Sequence, residues 1–307
     1  METAAEYLVR LRAEAADVLH WDWEQTLERA YCRVLPRGSS AVDVGGHAGR
    51  HARVLLDILG ARDLLIVEPL PQECAHLMLS FGGRPGVRII HAALSRELGR
   101  TKFIVNTSAR EESGLRRRRY NDEAGATLEK IEVDVTSLDA LFADQRAPRQ
   151  LDFIKIDVEG AELDVLAGGE QTIQRYRPLI SVEYGSPSFT AYGHEAGDLF
   201  DLAERWNYCL ADLLGHRFET RDQWLETVDA YYWDFLMMPR ERADALAAML
   251  EQDAWPVARA RAEGSAQEPG MAGSAAARES GRTWLARAQG FLRRSAAAMI
   301  KAWTGSK

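Results

Sequence analysis

The 307-residue sequence predicts an α/β protein: a Rossmann-like, mostly parallel seven-stranded sheet with helices on both faces and an antiparallel edge strand. Three observations predict it. Apolar runs alternate with helix-period segments from about residue 38 to 240, the pattern of repeated βαβ units. The first apolar run enters a glycine-rich turn, Gly45-Gly46-His47-Ala48-Gly49, that opens a helix. The second ends on a lone carboxylate, Glu68, followed by Pro69.

The elements follow in order. Leu8, Leu11, Ala15, Leu19 and Trp23 recur at helical spacing, so residues 4–34 read as one or two helices. Pro36-Arg37-Gly38-Ser39 breaks the chain before a strand over Ala41–Gly45. Helix Arg50–Leu59, strand Leu64–Glu68, helix Pro71–Ser80 and strand Val87–His91 come next. Lys102–Val105 and Ile131–Val135 alternate apolar and polar residues, as an antiparallel pair does. Between them lies a polar insertion, Asn106 to Lys130, carrying Arg116-Arg117-Arg118-Arg119. Strand Leu151–Asp157, helix Glu162–Tyr176, strand Leu179–Tyr184 and helix Asp198–Trp206 continue the alternation. Tyr208–Leu214 and Tyr231–Met238 close the sheet.

With 46% hydrophobic and 27% charged residues, the chain can bury one full α/β domain with extensions. It divides into an N-terminal helical extension (1–37), a main domain (38–250), a flexible linker (251–281) and a basic amphipathic helix (282–307). The last segment carries Arg282, Arg287, Arg293, Arg294, Lys301 and Lys307 with no acid, on a chain of net charge −8. It is expected either at the inner face of a membrane, drawn by anionic lipid, or packed on this protein or a partner subunit. A homo-oligomer therefore stays open. The acidic balance argues against nucleic acid as a partner. Cys32, Cys74 and Cys209 are scattered and odd in number, which argues against a disulfide framework and fits a reducing cytoplasm. The N-terminus lacks the apolar core of a signal peptide, and no apolar run reaches the ~18 residues that span a bilayer.

Glycines at 45 and 49 permit a sharp turn and close backbone approach. The spacing is not Gly-x-Gly-x-x-Gly, and no Gly-Lys-Ser/Thr follows. The turn thus favours S-adenosylmethionine over a dinucleotide or a nucleoside triphosphate, with Glu68 accepting hydrogen bonds from both ribose hydroxyls. A second signal is Phe153-Ile154-Lys155-Ile156-Asp157-Val158-Glu159-Gly160-Ala161-Glu162, a buried strand that ends in acids. Ligands of open α/β sheets bind outside the carboxyl ends of the strands, which places Asp157 and Glu159 where a methyl group would meet its acceptor. The alternative is that they cap the next helix, or pair with Lys155 or an arginine. Glu162 reads as structural.

The sequence resembles FkbM-type methyltransferases. Asp43-Val44-Gly45-Gly46-His47-Ala48-Gly49, Val67-Glu68-Pro69, Leu138-Asp139-Ala140-Leu141, Ile154-Lys155-Ile156-Asp157-Val158-Glu159-Gly160-Ala161-Glu162 and Arg177-Pro178-Leu179-Ile180-Ser181-Val182-Glu183 stand in the order and spacing of that family. The resemblance implies a class I S-adenosylmethionine fold and O-methylation of a hydroxyl on a sugar or secondary metabolite. It also implies cofactor contacts from Asp43, Gly45, Gly46, His47, Gly49, Glu68, Pro69 and Ala93. His47 departs from the pattern, where asparagine is usual. A hydroxyl acceptor must lose its proton as the new bond forms, and Asp157, Glu159, Glu183 and His194 are the candidate bases. Asp157 with Glu159 is a possible Mg²⁺ site, but no third ligand is evident, so no metal is expected. The arginine run is either a solvated face or a site for a phosphate- or carboxylate-bearing acceptor. Two rivals remain: a non-catalytic scaffold anchored by the basic tail, and a nitrogen or protein methyltransferase. The residues at 157–160 do not match the Asn/Asp-Pro-Pro-Tyr/Phe string of many nitrogen methyltransferases.

Overall fold

The computed structural model describes residues 22–143, 148–230 and 232–251. The helical reading of 4–21, most of the linker, and the basic segment 282–307 lie outside the described residues. Among the described residues, no helix is long and apolar enough to cross a membrane. All three cysteines are free thiols.

Helix α1 (Trp23–Val34) begins at Asp22, whose side chain accepts from the Gln25 amide at 2.9 Å. Its apolar face, Trp23, Leu27, Ala30, Tyr31 and Val34, is buried in the main core. β1 (Ser40–Val44), α2 (Arg50–Asp57), β2 (Asp63–Val67), α3 (Pro71–Phe81) and β3 (Val87–Ile90) form the first half of the sheet. β4 (Ala93–Leu94), β5 (Gly99–Asn106) and β6 (Leu128–Thr136) follow, then α4 (Leu138–Ala143). β7 (Phe153–Ile156), α5 (Glu162–Ala167), α6 (Glu170–Tyr176) and β8 (Leu179–Glu183) lead to the short α7 (Ser186–Phe189) and to α8 (Asp198–Arg205). β9 (Tyr208–Ala211), α9 (Arg221–Thr227) and β10 (Asp234–Pro239) complete the named elements.

The seven-stranded sheet has the order β3-β2-β1-β7-β8-β10-β9. Every residue of β1 and β7 is buried, as expected of central parallel strands covered on both faces. β10 is the antiparallel strand; it pairs with both β8 and β9 and so lies one place in from the edge where it was expected. The predicted antiparallel pair exists as β5 and β6, but in a separate three-stranded sheet, with β4 parallel to β6.

Two expectations change. The helix predicted over 162–176 is broken into α5 and α6 at Gly168-Gly169, where a side chain on Gly168 would meet the Ser95 carbonyl oxygen at 2.4 Å. Helix α9 was not foreseen, although Thr220 and Gln223 form a reciprocal capping box at its start.

The turn after β1 sets the tightest constraint. Gly45 has φ +84°, and a Cβ there would fall 1.9 Å from the Asp157 carbonyl oxygen. Gly38 has a similar φ of +80° but open space around it. Alanine at either position costs about 1–2 kcal/mol of left-handed strain. Only Gly45→Ala must also displace the backbone at Asp157. Thermal denaturation should show Gly45→Ala lowering Tm well beyond Gly38→Ala; equal shifts would mean that the turn has room to spare.

Candidate active site

The cradle begins where β1 ends. The Gly45 and Gly46 amides both donate to the Val67 carbonyl, at 2.9 and 3.2 Å, which seats the turn on the end of β2. His47 lies at φ +41°, a conformation that asparagine tolerates better than most residues, and its amide donates to Glu68 Oε2 at 2.8 Å. The Leu70 amide donates to Glu68 Oε1 at 2.7 Å. Glu68 thus ties the two turns together with one lone pair left on each oxygen. Burial pushes its carboxyl up to about 7, against the pull of those two amides. The glycines are required first by protein neighbours: a Cβ on Gly46 would meet Ile66, and one on Gly49 would meet Phe81. Ala93 is buried with Leu70 in a small second core, and the Pro69 carbonyl accepts from His91 Nε2 at 3.1 Å.

Asp43 supplies the test of whether a ligand fits. It is 1% exposed, and among the described residues neither carboxylate oxygen has a hydrogen-bond partner. Burial raises its pKa, while the Lys155 and His51 charges oppose the rise. A buried carboxylate without donors is costly. Asp43 neighbours the glycine turn, so a ligand ammonium entering the cradle would satisfy it. Together with the two free lone pairs of Glu68, this donor and acceptor set fits the amino-acid and ribose parts of S-adenosylmethionine.

The acids cluster at the carboxyl ends of β7 and β8. Lys155 is 3% exposed at its side chain and holds Asp157 Oδ2 at 2.9 Å. Burial opposes ionisation of Asp157, but the Lys155 ammonium and a hydrogen bond with Glu183 hold its carboxyl well below the usual range. Burial, then the charges of Asp157 and Glu159, push Glu183 far above that range. The two carboxyls are hydrogen-bonded to each other and are driven in opposite directions. Glu159 is engaged elsewhere: its Oε2 lies 2.9 Å from a guanidinium nitrogen of Arg118 and accepts from Ser188 Oγ at 3.3 Å. Both alternatives considered for these acids, Lys155 and an arginine, are therefore present as partners. Glu162 accepts from the Val158 and Gly160 amides, the structural part expected of it.

Asp157, Glu159 and Glu183 each offer an oxygen within 4.8 Å of the others, so Glu183 is the third ligand that a cation would need. Lys155 already pairs with Asp157 there, and Arg118 with Glu159. His194 faces Asp198 at 3.7 Å and enters none of the hydrogen bonds of the acid cluster.

Four residues join the site that the motifs did not mark. Asp234 stands opposite Glu183 in the β8–β10 register, and burial, then Glu24 and Asp157, push its carboxyl well up. Glu24 reaches His51 Nε2 at 3.0 Å, and the Tyr31 hydroxyl lies 3.3 Å from His51 Nδ1. Burial opposes ionisation of Glu24, but His51 brings its carboxyl down to about 2. The only sequence signal was the spacing of Glu24 and Tyr31, two turns apart on one helix.

The model of the methyltransferase FkbM domain matches residues 43–210, a span that includes the glycine turn, Glu68, the acid motif and Glu183. The 2-O-methyltransferase NoeI of Sinorhizobium fredii (strain NBRC 101917 / NGR234) is 30% identical over 152 residues, 47% of this chain and 62% of that protein. The chain thus spans about three fifths of that relative's length. A methyltransferase FkbM from Methylobacillus flagellatus KT aligns with a TM-score of 0.41 at 15% identity, over 66% of this chain and 44% of that one. An rRNA methylase from Streptococcus thermophilus aligns with a TM-score of 0.36 at 10% identity, over 71% and 95%.

Glu68 yields a stability test. Its carboxyl titrates near 7 folded and near 4.5 unfolded. Between those values the folded chain holds the proton more tightly, so rising pH favours unfolding by up to about 3 kcal/mol from this group. Glu68→Gln removes that slope. In urea titrations between about pH 5 and 8, the variant should gain on the wild type as pH rises. A difference independent of pH would refute the assignment.

Proposed function

The chain belongs to the FkbM methyltransferase family, and on that premise we propose that it moves a methyl group from S-adenosylmethionine to a hydroxyl of a sugar, glycan or secondary metabolite. The observation that carries this reading is the close approach of Gly45 to the backbone of Asp157, whose side chain is hydrogen-bonded with Glu183. The cofactor cradle and the acid pair meet there, as donor and acceptor must. The relative that methylates a 2-hydroxyl supports oxygen as the acceptor atom.

When bound, S-adenosylmethionine supplies an electrophilic sulfonium methyl. The chain's own work is placement. Asp43 receives the cofactor's ammonium, and Glu68 accepts from its ribose hydroxyls. Asp157 is 31% exposed at its side chain, enough to meet an acceptor, and stays ionised beside Lys155. It would accept the acceptor hydroxyl's hydrogen bond and take its proton as that oxygen gains the methyl, while the carbon–sulfur bond breaks and S-adenosylhomocysteine is left. So acidic a carboxyl is a weak base, so aligning the acceptor oxygen contributes more to the rate than proton removal does. Glu183, its carboxyl pushed up by burial and by the Asp157 charge, holds Asp157 through a hydrogen bond.

Isothermal titration with S-adenosylhomocysteine tests the cofactor. Micromolar binding is expected, and Glu68→Ala should weaken it about tenfold or more, the loss of hydrogen bonds to a charged group. If neither S-adenosylhomocysteine nor S-adenosylmethionine binds the wild type, the reading fails and the scaffold alternative takes its place. With an acceptor found by screening hydroxyl compounds, Asp157→Asn should lower kcat about 10²–10⁴-fold while cofactor affinity holds. Turnover should not change in EDTA; loss that Mg²⁺ restores would assign the three carboxylates to a cation instead of a proton.

A further inference from the structure

The arginine run is a fastening, and what it fastens is the acceptor side of the site. The insertion leaves β5 after Asn106 and rejoins β6 at Leu128. It is folded rather than splayed. Gly114 and Ile104 exchange amide hydrogen bonds at 2.8 and 3.0 Å. Buried Glu112 accepts from Asn121, and Glu123 takes both the Tyr120 amide and Arg117 at 2.8 Å.

Arg110 reaches out of it to Glu73 on α3 at 3.6 Å, and two arginines of the run reach the other way. Arg118 is 5% exposed at its side chain; one guanidinium nitrogen lies 2.9 Å from Glu159 Oε2 and another donates to Ser188 Oγ at 2.8 Å. Ser188 closes the triangle by donating to the same Glu159 oxygen. Arg116 donates its amide to the Tyr192 hydroxyl at 3.2 Å, and its guanidinium lies 5.0 Å from the centre of that ring. The Tyr192 ring packs on Gly160, where a Cβ would come within 2.6 Å of it. The insertion, the turn after β7 and the segment after β8 are thus pinned together beside Asp157 and Glu183. Glu159 sits at φ +61°, a backbone state that a non-glycine residue holds only under restraint. A buried arginine likewise needs its partners.

We propose that the 107–127 insertion is the acceptor-selecting wall of the active site, and that Arg118 is the positioning residue that seats it, through Glu159. This rests on the methyl-transfer reading. The cofactor cradle is built from the ends of β1 and β2, so the acceptor must approach over β7 and β8. Those strands are the ones flanked by the insertion and the 186–192 segment. Glu159 then serves as the wall's anchor, and Asp157 remains the base. Cofactor affinity should be indifferent to Arg118, while acceptor affinity should depend on it.

Hydrogen exchange on the full-length chain, with and without S-adenosylhomocysteine, reads the wall without knowledge of the acceptor. In Arg118→Met and in Glu159→Gln, amides within 113–120 and 188–192 should exchange at least about tenfold faster than in the wild type. S-adenosylhomocysteine affinity should stay within about twofold. With the acceptor that the hydroxyl screen returns, Arg118→Met should raise its KM about tenfold and leave that of S-adenosylmethionine unchanged, with Arg118→Lys in between. Wild-type exchange rates in Arg118→Met, or a tenfold loss of S-adenosylhomocysteine affinity, overturn the proposal. Should Arg118→Met fail to fold, Arg118→Lys must show the faster exchange at smaller size; wild-type rates there overturn it equally. A wild type that binds no S-adenosylhomocysteine sinks the methyl-transfer reading and the wall's function with it. A wild type that binds, beside an Arg118→Met chain that exchanges normally, sinks the wall alone.

Discussion

One buried ammonium orders this molecule. Lys155 points from the central strand β7 into a region with Asp157, Asp43 and Glu24 around it, and those three charges hold it protonated against its burial. A charge so placed is tolerable only among carboxylates. The carboxylates in turn come from four different parts of the chain: the end of β1, the start of α1, the turn after β7 and, through Asp157, the end of β8. The Lys155 ammonium pulls the Asp157 carboxyl down and the hydrogen bond to His51 pulls that of Glu24 down, whereas burial and the neighbouring acids push those of Glu183 and Asp234 up.

Much of this was legible in the sequence. Strand periodicity and the two glycine-and-acid motifs located β1, β2, β7 and β8 within a residue or two, because buried parallel strands and tight turns demand particular residues locally. What was hidden depended on contacts between distant segments. The Gly168-Gly169 pair is a local break signal that the helical period around it masked, and the Ser95 carbonyl leaves no room for a side chain at Gly168. The pairing of Asp157 with Lys155 was one of two open alternatives, and only the sheet's layering shows that the lysine is interior. Arg118 was indistinguishable from its three neighbours, since nothing in Arg116-Arg117-Arg118-Arg119 says which guanidinium will be buried. Asp234 could not be linked to Glu183 before the order of the last two strands was known.

The site also divides by kind of constraint. The cradle side is held by backbone: amides on Glu68, carbonyls under the glycine turn, and protein atoms wherever a Cβ would go. Such contacts accept few substitutions. The β7–β8 side is held by side chains from the insertion and the loop after β8, which can change without disturbing the sheet. One half is thus fixed by geometry shared with any chain that makes this turn, and the other is free to vary with the acceptor.

The antiparallel strand has a consequence for assembly. Parallel strands present their ends at the functional edge, but β10 runs the other way and presents its beginning. The residues just before it come to that edge: the Trp233 carbonyl accepts from the Tyr184 amide at 2.7 Å, and Asp229 accepts from the Ser186 amide at 2.8 Å. β10 also lies between β8 and β9, both of which precede it in the chain. As the polypeptide leaves the ribosome, β9 has only the bridge from Ala211 to Arg217 until β10 is made, and the loop after β8 has its contacts to the insertion but not yet those to Asp229 and Trp233. The edge on which chemistry depends is the last part of the sheet to close.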